Sequence, residues 1–104
     1  MQTGTVVNPV LPIDTSSLKT GTKVVTTAGT AVALGTETGM HELLIQAKRT
    51  NAGIIFVGPS TVLNNDTNGI YLSKGEALHL YCNSLAEIYI NSTVNGEGVT
   101  FLYW

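Results

Sequence analysis

Apolar residues along the chain come in short groups broken by Gly, Asn, Pro and Ser/Thr clusters, and within most groups they alternate with polar positions. That is the period of a half-buried strand, with turns at close intervals. Thr22 to Thr27 (TKVVTT) stops at Ala28-Gly29 and Ala31 to Leu34 (AVAL) stops at Gly35, which predicts a hairpin. His41 to Arg49 has helical residue preferences, yet Leu43, Ile45 and Ala47 alternate with Leu44, Gln46 and Lys48, so a strand is expected. Gly53 to Val57 (GIIFV) is continuously apolar up to Gly58-Pro59, as in a central strand covered on both faces. Pro59 to Asn68 is the longest loop, and Ile70 to Leu72 follows it. After a turn at Ser73-Lys74-Gly75, Ala77 to Cys82 sets Leu78, Leu80 and Cys82 on one face and His79 and Tyr81 on the other. Ala86 to Asn91 places Ala86, Ile88 and Ile90 inward and Glu87, Tyr89 and Asn91 outward, and Ser84 with Glu87 fits a capping box worth one helical turn just before it. Asn95-Gly96 then turns the chain into Val99 to Trp104. About eight short strands and no long helix predict an all-β fold, a small antiparallel β-sandwich, jelly-roll-like or barrel-like.

The first 20 residues have a different pattern. Pro9 and Pro12 punctuate a Thr/Ser/Asn-rich stretch with Val6, Val7, Val10, Leu11 and Ile13 as its apolar residues. Proline lacks the N–H of a ladder and holds its predecessor extended. Residues 1–20 are therefore expected to form an extended arm that binds a neighbour through those five side chains, and residues 21–104 the sandwich domain.

Composition sharpens this picture. The chain has 104 residues, 43% hydrophobic and 12% charged, against about 25% charged in ordinary soluble domains. One domain of this length buries roughly 65% of its unfolded surface, enough for a core without staples. The polar surface must come from Thr, Asn, Ser and Gly, which suit pleated strands and tight turns rather than solvated helices. A surface so poor in charge does little to keep copies apart, as befits a part of an assembly. Five Lys+Arg against seven Asp+Glu, scattered along the chain, argue against nucleic acid. No apolar run is long enough for a membrane helix, and the N-terminus lacks a basic start followed by an apolar signal core, so a soluble, unprocessed chain without a membrane partner is expected. The single Cys82 offers neither a disulfide nor a thiolate metal cluster.

Candidate chemistry is sparse. Only His41 and His79 could serve as bases, and neither lies in a nucleophile motif. Cys82 has no basic neighbour in sequence and is expected to be a buried structural thiol. Asn64 to Gly69 is oxygen-rich but supplies one carboxylate, short of a calcium loop. Glu37, Glu42, Asp66, Glu76, Glu87 and Glu97 fall mostly at turns or outward positions, as solvated charge. Asn65-Asp66-Thr67 and Asn91-Ser92-Thr93 are sequons that matter only in a secreted eukaryotic protein. No catalytic residue, metal site or cofactor is expected, and the protein reads as a non-enzyme. Tyr81, Tyr89, His79 and Trp104 are the candidate interface or glycan contacts.

Four stretches carry a resemblance: KVVTTAGTAVALG (23–35), IQAKRTNAGIIFVG (45–58), NGIYLSKGEALHLY (68–81) and LAEIYINSTVNGEGVTFLYW (85–104). Together they resemble small β-sandwich virion proteins of tailed bacteriophages. The resemblance implies structural service in the virion, as a head decoration or cement protein or a tail-associated part. Its partners would be copies of itself, with a trimer as the favoured homo-oligomer, and other virion proteins such as the major capsid protein. The alternative is a lectin-like module on a tail or fibre, with Tyr81, Tyr89 and the loop from Pro59 to Asn68 on a host-surface glycan.

Overall fold

The computed structural model describes residues 18–104; the arm anchors Val6, Val7, Val10, Leu11 and Ile13 lie outside the described residues. Eight strands follow in order: β1 (Lys19–Val25), β2 (Val32–Ala33), β3 (Glu42–Ala47), β4 (Ile55–Gly58), β5 (Ile70–Leu72), β6 (Ala77–Tyr81), β7 (Tyr89–Ser92) and β8 (Glu97–Tyr103). They form two four-stranded sheets, β1-β8-β3-β6 (sheet 1) and β2-β7-β4-β5 (sheet 2), with every pairing antiparallel. Consecutive strands mostly alternate between sheets, and this order is that of a jelly roll. No α-helix occurs among the described residues.

The core follows from the alternation. Val25, Leu43, Ile45, Ala47, Val99, Phe101 and Tyr103 point inward from sheet 1, and Leu34, Ile55, Val57, Leu72 and Ile90 meet them from the side of sheet 2. Burying an aliphatic side chain such as Leu43 or Ile45 contributes about 1.5–3 kcal/mol. Two glycines let the sheet pack closely. A Cβ on Gly21 would meet the Phe101 ring, and one on Gly98 would run into the Lys23 carbonyl.

Three expectations are corrected. The segments at 22–27 and 31–34 are not a hairpin: β1 pairs with β8 and β2 with β7, in different sheets. β1 also starts at Lys19, because Lys19 and Thr20 pair with Tyr103 and Leu102, so the domain takes in two residues assigned to the arm. The seventh strand is shorter than 86–91 because Leu85–Glu87 makes one 3₁₀ turn, with the Ser84 hydroxyl accepting from the Ala86 N–H, and this leaves Ala86 exposed.

The two sheets differ in what lies over their outer faces. The loop after β4 folds back across sheet 2, where Val62 is buried and would touch a Cβ placed on Gly58 or Gly69. Beneath this roof Phe56 and Asn91, which pair across β4 and β7, are both buried. β4 is thus covered on both faces, as its apolar run predicts. No described segment covers the outer face of sheet 1, where Leu44 keeps 37% of its surface and Gln46, His79 and Tyr81 are exposed.

Candidate functional site

The uncovered face of sheet 1 is built by alternation on four adjacent strands. Thr20, Thr22 and Val24 come from β1, Thr100 and Leu102 from β8, Glu42, Leu44 and Gln46 from β3, and Ala77, His79 and Tyr81 from β6. Register sets them in rows: Thr20 beside Leu102, Leu102 beside Leu44, and Leu44 beside His79. The row below runs Thr22, Thr100, Gln46, Ala77. Along these two rows the only ionisable side chain is His79.

An aromatic corner closes this face at the C-terminal end of β8. His79 Nε2 lies 2.8 Å from Glu42 Oε1, so the carboxylate of this face is held by the imidazole. The His79 ring is nearly parallel to Trp104, at 6.3 Å between centroids and 14° between planes. Tyr81 meets it edge-on at 5.0 Å and is itself 80% exposed. The backbone of Trp104 is pinned to β3, its carbonyl accepting from His41 and Glu42 N–H and its N–H donating to the Glu42 carbonyl. Trp104 Nε1 is buried without a hydrogen-bond partner among the described residues. An open shelf of about 440 Å³ lies beside Tyr81, bounded by Met40, His41, Cys82, Asn83, Glu87 and Ile88.

The geometry thus brings His79, Tyr81 and Trp104 together but leaves Tyr89 apart. Tyr89 is half-buried on β7 of sheet 2, opposite Gly58 at the root of the roof loop. Tyr81, Tyr89 and the loop therefore do not make one platform, because Tyr81 belongs to the other sheet.

Asn91 corrects the sequence reading most. Its side chain does leave the outer side of the strand, but the roof covers it completely. Its Oδ1 accepts from the N–H groups of Gly29 and Ser92 and its Nδ2 donates to the Val62 carbonyl. The second sequon is thereby sealed, while Asn65 is exposed and bonds the Thr67 N–H.

Several carboxylates expected to be solvated instead hold turns. Glu97 accepts from the N–H groups of Ala52 and Gly53, Glu76 from Ser73, and Glu37 from Thr36. Cys82 is half-buried against the core, and that burial, the largest influence, pushes its thiol above the ordinary range; a backbone hydrogen bond at Ser84 opposes this and Glu87 adds to it. Among the described residues no three His, Cys, Asp or Glu side chains gather as metal ligands.

The fold and this face define a small jelly-roll domain with a nearly uncharged open sheet. Neither a family model, nor a curated protein, nor a solved structure matches the chain.

Proposed function

We propose that the protein is a non-enzymatic structural component of a tailed-bacteriophage virion, a capsid decoration or cement protein that self-associates, as a trimer, and is tied to the major capsid protein or a neighbouring subunit by its N-terminal arm. The observation that carries this reading is the asymmetry between the sheets: a loop covers the middle of sheet 2, leaving Tyr71 of β5 exposed, whereas sheet 1 presents an open face of Thr, Leu, Gln and aromatic side chains whose carboxylate is paired with His79. Such a face is stable against a partner, since few charges must be stripped of water when it is covered. Jelly rolls also recur in capsid and lectin domains, and the sequence resembles phage virion proteins.

Size argues that face and arm work together. Four strands about 4.8 Å apart and about six residues at ~3.4 Å each make a face of roughly 400 Å². A standard interface buries about 800 Å² per partner. The arm supplies the missing area, and repetition around a shell supplies avidity. Deleting residues 1–17, which leaves β1 whole, is expected to give a folded domain that no longer enters particles assembled in the host; undiminished incorporation contradicts the arm's role.

A second reading is favoured by one observation, the exposed Tyr81 beside an open shelf. In it the protein is a tail- or fibre-associated lectin-like module stacking a host-surface sugar on Tyr81. Saturable binding on a glycan array, lost in Tyr81→Ala, selects this reading over the first.

A further inference from the structure

The longest open sheet edge among the described residues belongs to β1. It ends sheet 1, with β8 on one side and no described strand on the other, and it has seven residues where β2, β5 and β6 have two, three and five. The Val25 carbonyl accepts from the Gly96 N–H, toward β8. Alternation then turns the N–H and C=O groups of Thr20, Thr22 and Val24 to the open edge. An open edge of this length is a template for an added strand.

The N-terminal stretch has the sequence to fill it. Thr3-Gly4-Thr5-Val6-Val7 nearly repeats Thr20-Gly21-Thr22-Lys23-Val24-Val25 of β1, without the lysine. Residues 2–8 match β1 in length, contain neither proline nor charge, and stop at Pro9. Charge separates this occupant from the obvious competitor. Two β1 edges pairing antiparallel about Gly21 would set Lys19 opposite Lys23 twice, and like charges facing each other across strands are destabilising. Residues 2–8 meet the same lysines without that cost.

The length between this stretch and β1 is enough to serve another copy. Ten residues, 9–18, span up to about 33 Å at full extension. That exceeds the roughly 19 Å width of a four-stranded sheet.

We propose that residues 2–8 of one copy add as a fifth strand to the β1 edge of sheet 1 in another copy. This rests on the self-association proposed above. The exchange is reciprocal in a dimer, or runs head to tail and closes as a ring where the rotation allows, as in the trimer proposed above.

Full-length pairing sets Thr5 opposite Thr22 whether the added strand is parallel or antiparallel. The test is the full chain carrying Cys82→Ser, Thr5→Cys and Thr22→Cys, mildly oxidised and run on a non-reducing gel. Covalent dimers and trimers, lost when either new cysteine is omitted, are expected. Closure within monomers overturns the proposal. So does the absence of cross-links in a chain that sedimentation shows to be associated, which leaves self-association standing; a chain that is monomeric at every concentration overturns both. Thr22→Pro removes one N–H from the open edge without touching the β8 ladder, and is expected to abolish association with the circular dichroism spectrum unchanged. Unchanged association in that variant also overturns the proposal, and the cysteine pair decides the matter if the variant fails to fold.

Discussion

At the scale of single residues, stability is concentrated where the backbone of one segment depends on a side chain of another. Asn91 satisfies two N–H groups and one carbonyl from inside the protein. Removing it leaves the Ser92 N–H and the Val62 carbonyl buried and unpaired, at about 1–3 kcal/mol apiece when nothing relaxes, while the Gly29 N–H lies on an exposed residue. Asn91→Ala is expected to lower the unfolding free energy by on the order of 3 kcal/mol in urea titration, and a loss below about 1 kcal/mol would show that the roof is not held by this residue. Gly98→Ala sets a methyl group against the Lys23 carbonyl in the β1–β8 pair, and a loss of about 2–3 kcal/mol is expected from overpacking.

Cys82 gives a pH prediction with a definite sign. Its thiol titrates higher in the folded chain than in the unfolded one because burial penalises the thiolate. The associated stability is therefore present below the unfolded thiol's pKa and is lost as pH rises through the folded one, where the unfolded chain ionises first. Folded protein should react with iodoacetamide more slowly than urea-unfolded protein at mildly alkaline pH, and equal rates would refute the burial argument.

At the scale of elements, the roof loop and the open sheet show what the sequence can and cannot reveal. Alternation in Leu43, Ile45 and Ala47 marks β3, that in Leu78 and Leu80 marks β6, and the unbroken run at Ile55 to Val57 marks a strand covered on both sides. These signals are local, because a strand's period is written in its own residues. Which sheet a strand joins is not local. β1 finds its partner at Glu97 to Tyr103, across almost the whole chain, so two neighbouring strand-like segments read as a hairpin when they belong to opposite sheets. Asn91 is legible as outward-facing but not as buried, because its cover comes from Val62, 29 residues away. The aromatic corner is half legible: His79 and Tyr81 share a face by period, whereas Trp104 reaches them only through the β3–β8 register. Val62→Ala tests the roof. It should cost about 2 kcal/mol and speed hydrogen exchange at Ser92, while exchange within β3 and β6 stays unchanged.

At the scale of the whole molecule, the two sheets of a low-charge chain differ in what covers them among the described residues. The loop covers Phe56 and Asn91 in the middle of sheet 2 but leaves Ile70 and Tyr71 of β5 exposed, and among the described residues sheet 1 offers both an open face and an open edge. On the function proposed above, neighbouring subunits complete such a surface, with the stretch before β1 as the connecting arm. The most direct test of that account is sedimentation equilibrium of the full chain beside Leu44→Lys, a change at the middle of the open face. Leu44 is partly exposed and outside the core, so its replacement should leave the unfolding midpoint nearly unchanged. A concentration-dependent oligomer is expected for the unmodified chain and a monomer for Leu44→Lys. An unmodified chain that stays monomeric, or a Leu44→Lys chain that associates equally well, would contradict it.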